Sequence, residues 1–371
     1  MSAPVPWLLN ASMEVLICVG SGGVGKTTVS AALALAGAVM GKKSLVCTID
    51  PAKRLAQSLG VERLGNKETP MPPEWLARTG IPPTASFWAM MLDMKHAWDE
   101  LISAHATPCQ KAQIFNNRFY QSLSGSLAGS QEYIAIEKLW ELKTCRDYGL
   151  LVLDTPPIAN ALDFLDAPSR LLGFLDTEVS KHLFLPMLSV GQWGFRVWKA
   201  SNNLFIKTLS RFVGIQTLEQ LSEFLLAMGQ LYEGFRERAR QTQALLEKPG
   251  TAFVVVTTPQ PERISEVQHF LEVLQKRKLQ IAAVLVNQTH PPLDEKRLEE
   301  LKTLPEPLSK KMESAYRAYE QQTLEEALSL QKLQALCTDI PLKTIPVLPN
   351  SHSELERLWK ISQMLQGNSH A

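Results

Sequence analysis

Short apolar runs alternate along this chain with longer stretches of helical period. Glu14 to Val19 reads as a strand, and Thr28 to Met40, rich in Ala and Leu and stopping before Gly41, reads as a helix. Ser44 to Ile49, Ser86 to Leu92, Gly149 to Leu153, Ala252 to Thr257 and the run IAAVLVNQ ending at Gln288 add further strands, most of them apolar throughout rather than alternating. Strands that are apolar on both faces need cover on both faces, and helices that connect parallel strands supply it. The pattern predicts an α/β fold: a doubly wound, mostly parallel sheet with a helical subdomain inserted after the strand at 149–153.

Between the strands the pattern is helical or irregular. Pro70, Pro72, Pro73, Pro82 and Pro83 make residues 66–83 an irregular connection. Asp93 opens a helix that runs to about His105, and Pro108 to about Leu142 is helical with a break at SGSLAGS. Glu219 to Glu247 reads as a long amphipathic helix with Leu221, Leu225, Met228, Leu231 and Phe235 on one face. Residues 291–336 read as a peripheral helical hairpin and Ser351 to Gly367 as a closing helix. The boundaries that follow are 14–157 and 249–366 for the two parts of the sheet domain, with 158–248 as the inserted helical subdomain.

The densest chemistry lies at Gly20-Ser21-Gly22-Gly23-Val24-Gly25-Lys26-Thr27-Thr28, which fits G-x-x-x-x-G-K-[ST] between a strand and a helix. In that setting Gly22, Gly23, Val24, Gly25, Lys26, Thr27 and Thr28 wrap phosphates with backbone N–H groups and the helix N-terminus. Lys26 neutralises the β and γ groups and Thr27 reaches Mg²⁺. The alternative is a glycine-rich turn that binds nothing. Two acids stand just past strand ends, where open α/β sheets place their ligands: Asp50, before Pro51-Ala52-Lys53-Arg54, and Asp154, before Thr155-Pro156-Pro157. Asp154 has the setting of a Walker B acid near Mg²⁺, with an ordinary turn acid as the competing reading.

Composition narrows the partners. Among 371 residues, Lys plus Arg is 38 and Asp plus Glu is 37, so the chain as a whole is not drawn to nucleic acid. The five cysteines form no C-x-x-C pair, and no long uncharged apolar run appears, so a cytoplasmic protein with free thiols is expected. One stretch stands apart. From His182 to Gly214, within an acid-free interval between Glu178 and Glu219, Phe195, Trp198, Phe205, Leu209 and Phe212 interleave with Arg196, Lys199, Lys207 and Arg211. This basic amphipathic pattern fits a surface for an apolar helix or a membrane periphery, or a helical lid packed on its own domain with its cations at the rim.

GSGGVGKTT, TIDPAKRL and LVLDTPP, in that order, resemble the P-loop, switch I and switch II of the deviant-Walker ATPases. That family includes the arsenical-pump (ArsA-type) ATPase and the guided-entry ATPase that targets tail-anchored membrane proteins. FVVVTTPQPERISEV, IAAVLVNQ and KTIPVLPNSHSEL resemble its nucleotide-side segments, so the likeness spans about residues 14–366. It implies ATP and Mg as ligands, with Asp50 orienting the attacking water beside Lys26. Thr27 and Asp154 would serve the metal, directly or through water, and Asn287 would read adenine. It also implies an ATP hydrolase whose nucleotide state rearranges a helical client- or partner-binding subdomain, here about 182–235, that takes a hydrophobic helix or a membrane protein. The alternative is a MinD/ParA-like ATP-dependent assembly switch at a membrane or scaffold; a small-molecule enzyme on the same fold ranks below both.

The sequence departs from the family at three points. Ser21 stands where the P-loop normally carries a lysine that reaches across a dimer, so the expected assembly is a homodimer without that charge or a heterodimer with a related ATPase that keeps it. Lys53 and Arg54 are the nearby cations that could replace it. Gln260 stands where relatives often carry an acid, and no C-x-x-C is present for a bridging zinc.

Overall fold

The apolar runs form one eight-stranded sheet. In a computed structural model of the chain, residues 12–50, 54–77, 80–123, 130–155, 165–167, 169, 231–292, 305–349 and 353–367 are described. The chain divides into two compact units, one made of Met1–Met91, Asp147–Ala161 and Glu247–Ala371, the other of Leu92–Arg146 and Leu162–Leu246.

The first unit holds the sheet. Its strands are β1 (Val15–Val19), β2 (Ser44–Thr48), β3 (Thr69–Pro70), β4 (Phe87–Met91), β5 (Leu150–Asp154), β6 (Thr251–Thr257), β7 (Ile281–Thr289) and β8 (Leu342–Pro346). They lie in the order β3-β4-β2-β5-β1-β6-β7-β8, with every pair parallel except β3 with β4. β1, β2, β5 and β6 are buried at every position, as strands covered on both faces must be. Helix α1 (Lys26–Val39) follows β1, and its Ala-rich face lets it lie against the sheet. A Cβ built on Gly37 would come within 2.4 Å of Leu150 Cδ2, so only glycine allows that approach. Leu16, Val46, Val152, Val254 and Leu285 share one core with Val29, Leu33 and Ala36 of α1. Burying each Leu or Val there contributes about 1.5–3 kcal/mol relative to exposure.

Further helices of this unit are α2 (Arg54–Leu59), α3 (Pro73–Ala77), α9 (Pro261–Lys276), α10 (Leu308–Leu336) and α11 (Glu354–Gln366). α11 opens on a capping box, Ser353 with Glu356, closes on Gly367 in the left-handed conformation, and packs on α1 and α2. Two differences from the sequence pattern have local causes. The proline-rich 66–83 contains β3 and α3, because proline is tolerated in the first turn of a helix, where its missing N–H is not needed. Trp75 fixes that segment: its indole N–H donates to the Leu59 carbonyl at 2.6 Å and its ring lies 5.8 Å from that of Phe87. The second is β8, an edge strand only partly buried, whose residues LKTIP carry little apolar signal.

The second unit is helical: α4 (Met94–His105), α5 (Pro108–Phe115), α6 (Arg118–Leu123), α7 (Ser130–Cys145) and α8 (Tyr232–Leu246). Asp93 caps α4 by accepting from the His96 N–H at 2.8 Å, and Thr107 with Gln110 forms a capping box on α5. Trp98 of α4 lies 6.2 Å from the ring of Tyr133 on α7 and 6.4 Å from that of Phe235 on α8. Residues 92–146 thus group with the helical unit, whereas the sequence pattern placed them in the first part of the sheet domain. Their apolar stripes meet one another and α8. The expected helix at 219–247 is described from Tyr232, and the second arm of the 291–336 hairpin as α10. The basic aromatic stretch 182–214 and the first hairpin arm lie outside the described residues.

Candidate functional site

The loop between β1 and α1 turns tightly because its glycines permit it. Gly25 is the N-cap of α1 with φ 84°, in the left-handed region, and a Cβ there would stand 2.3 Å from Asn287 Nδ2. That close approach is a bond between two distant segments: Asn287 Nδ2, at the end of β7, donates to the Val24 carbonyl at 2.9 Å. Lys26 is only 6% exposed, and its Nζ donates to the Ser21 carbonyl at 2.6 Å. Burial holds its ammonium below the ordinary lysine value, while the carboxylate of Asp154 works the other way.

Asp154 is the most enclosed acid of the site. Register places it beside Cys18 of β1 and Thr48 of β2, and it is 0% exposed. Oδ2 accepts from Thr27 Oγ1 and from Thr48 Oγ1, each at 2.8 Å, and Oδ1 accepts from Ser30 Oγ at 3.4 Å. Burial pushes its carboxyl up to about 6, against the pull of the Thr27 and Thr48 hydroxyls and of Lys26. Asp50 stands at the end of the neighbouring strand, with its N–H on Thr48 Oγ1 at 3.2 Å and its Oδ2 3.5 Å from Arg54 Nη1.

Gly23, Lys26, Thr27, Asp50 and Arg54 line a cavity of about 550 Å³, and Asp154 adjoins it through its bond to Thr27. A second cavity of about 560 Å³ is walled by Asn287, Gln260, Pro346, Leu348 and Arg357. Both volumes fall in the range of small-molecule sites. Mg²⁺ takes oxygen ligands and is held by one or two carboxylates together with substrate phosphates. The oxygens of Thr27, Thr48 and Asp154 fit that ion, with phosphate completing the set. Among the described residues, no group of three or more His, Cys, Asp and Glu is placed to hold a metal by itself.

Residues 13–367 match the family described as anion-transporting ATPase. The chain belongs to that family. It is 26% identical over 291 residues to the ATPase GET3B of Arabidopsis thaliana, covering 74% of this chain and 63% of that protein. With the putative arsenical pump-driving ATPase of Chlorobaculum tepidum it shares 29% identity over 206 residues, 54% of this chain and 42% of that protein. With the putative arsenical pump-driving ATPase 1 of Aquifex aeolicus it shares 23% over 373 residues, 96% of this chain and 79% of that protein. The chain thus spans less than two thirds of the length of the first two.

Several features of this chain were not legible from sequence. The Ser21 hydroxyl donates to Glu266 of α9, and Arg263 Nη1 holds the same carboxylate at 3.0 and 3.1 Å. The signal available was an ordinary i, i+3 ion pair. Glu326 of α10 accepts from the His290 N–H at 2.8 Å and lies 2.7 Å from its Nδ1, bracing the chain just beyond β7. Gln260 caps α9 without a side-chain bond to it, and its Oε1 accepts from Thr258 Oγ1 at 3.4 Å. Lys53, one of the two cations offered in place of a lysine at position 21, lies outside the described residues, while Arg54 is spent on Asp50. No helix among the described residues is long and apolar enough to cross a membrane.

Proposed function

We propose that the chain binds ATP with Mg²⁺ and hydrolyses the γ-phosphate. The observation that carries this reading is Asp154, which holds a hydroxyl from β2 and that of Thr27, the residue that lines one cavity with Asp50 and Lys26. Lys26 exchanges the Ser21 carbonyl for phosphate oxygens, giving a buried cation a stronger partner. The loop amides and the N-terminus of α1 hold the remaining charge. Thr27 and Asp154 would hold Mg²⁺, directly or through water, and the ion would supply positive charge against the phosphates. Asp50 accepts a hydrogen bond from water and aims it at the γ-phosphorus in line with the leaving oxygen. Asn287 has an N–H committed to Val24, and its side-chain oxygen remains an acceptor for the amino group of adenine.

The coupled function follows from the family resemblance. Nucleotide state would rearrange the helical unit, whose segment at about 182–235, beginning with the basic aromatic stretch 182–214, takes a hydrophobic helix or membrane-protein client in the cytoplasm or at a membrane periphery. The assembly would be a homodimer, or a heterodimer with a related ATPase that supplies a lysine at the position of Ser21.

The test is Asp50→Asn, assayed for ATP binding and for phosphate release. Retained binding with turnover lowered at least a hundredfold supports the assignment, and unchanged turnover removes Asp50 from it. Light scattering of the same variant with Mg-ATP reads the assembly. A doubled mass supports the homodimer, and a persistent monomer that binds ATP points to the heteromer.

A further inference from the structure

Among the described residues, the two cavities share three in their linings: Gly25, Thr28 and Glu354. A nucleoside triphosphate has its parts in a matching order. With phosphates at Lys26 and Thr27 and the base at Asn287, the sugar must pass the residues common to both cavities. Gly25 has no side chain, and the Thr28 hydroxyl lies 3.5 Å from that of Ser58. Among the described residues, Glu354 alone brings a charged acceptor to this throat. It sits in the first turn of α11, its Oε1 is 3.4 Å from Arg357 Nη1, and Arg357 Nη2 donates to the Leu348 carbonyl at 3.3 Å. The carboxylate is therefore oriented from the base-side wall rather than hanging free, yet its side chain remains 56% exposed and open to a ligand.

A carboxylate beside a polyphosphate is electrostatically unfavourable unless it gains donors in exchange. The parts of a nucleotide nearest the throat that donate are the hydroxyls of the sugar, and an ionised carboxylate, which only accepts, is a common partner for them in α/β nucleotide sites. We propose that Glu354 is the ribose-recognising residue of this site, accepting hydrogen bonds from the sugar hydroxyls and selecting ribonucleotides over deoxyribonucleotides. The inference rests on the reading of the cavities as an ATP site.

The experiment is calorimetric titration of the full chain with Mg-ATP, Mg-2′-deoxyATP and Mg-3′-deoxyATP, for the natural protein, Glu354→Ala and the isosteric Glu354→Gln. The natural protein is expected to bind ATP about tenfold or more tighter than at least one deoxy form, the size of a lost hydrogen bond to a charged group. Glu354→Ala should bind ATP and that deoxy form within twofold of each other. Glu354→Gln, which cannot fail for want of side-chain volume, should fall between the two. Equal binding of all three nucleotides by the natural protein overturns the proposal while leaving the ATP site standing, as does discrimination that survives in Glu354→Ala. Absence of binding by any of them overturns the ATP site as well.

Discussion

Thr27 and Asp154, 127 residues apart in sequence, are joined by a 2.8 Å hydrogen bond from hydroxyl to carboxylate. The bond ties the first turn of α1 to the end of β5, and Thr48 closes on the same oxygen from β2. Two strand ends and the first turn of a helix are thus fixed to one buried charge.

Asp154→Asn is expected to weaken that arrangement. The amide oxygen can stand in for Oδ2 and accept from both hydroxyls, but it is a neutral acceptor, so two charge-assisted bonds become ordinary ones. The cost should be about 1–3 kcal/mol in stability. The variant should also lose the rise in melting temperature that Mg-ATP gives the natural protein, which thermal unfolding with and without Mg-ATP checks.

Gly25→Ala should interfere with the site through Asn287. The added methyl meets Nδ2 at 2.3 Å at a φ of 84°, so both a clash and backbone strain are expected. Asn287→Ala relieves the clash but not the strain, and it loses the bond to Val24. In a double-mutant cycle the pair should therefore cost about 1 kcal/mol less than the sum of the singles. Additive costs, measured by urea unfolding, would mean that the two side chains do not meet.

Glu137 gives the helical unit a pH dependence. It is 5% exposed, and burial pushes its carboxyl up to about 7. Arg238, whose Nε lies 3.5 Å away, and Lys138 pull it down, while Glu141 and Glu100 push it up. With the folded value above the ordinary 4.5, its contribution to stability is complete below about 4.5 and is lost as pH rises through about 7. Glu137→Gln should remove that slope, so that the stability difference between variant and natural protein shifts in favour of the variant by about 3 kcal/mol between pH 4.5 and 8. Parallel stability profiles for the two proteins would contradict this.

Trp75→Phe isolates the anchor of the proline-rich connection. The ring contact with Phe87 is largely kept, while the buried Leu59 carbonyl loses its 2.6 Å donor. A loss of about 1–2 kcal/mol in urea unfolding is expected, with nucleotide affinity unchanged.

What the sequence disclosed followed physical rules that act locally. The strands buried on both faces announce themselves as unbroken apolar runs, and the phosphate loop is a motif because its glycines, lysine and threonine each answer a separate geometric need. Edges and groupings were less visible. β8 is half covered and shows little apolar pattern, and β3 with α3 hides among prolines that mimic a loop. The helical stripe on α4 shows that the helix is buried against something, but not whether that is the sheet or another helix. Asn287 reads from sequence as a strand-end asparagine suited to a turn, and only the neighbouring loop reveals where its amide is used. Glu354 is plainer still: an acid in the first turn of a helix is ordinary complementarity to the helix dipole until a cavity is seen on either side of it.

The placement of β1 between β5 and β6 bears on how the chain leaves the ribosome. Both neighbours of β1 are encoded far downstream, β5 at Leu150–Asp154 and β6 at Thr251–Thr257. At about 5–20 residues per second, roughly 5–20 s separate the emergence of those two strands. Throughout that interval one side of β1 has no strand to pair with, and it is an apolar segment with open N–H and C=O groups, the kind that recruits wrong partners. Nascent chains stalled between these two strands should therefore depend on chaperones more than chains stalled after β6.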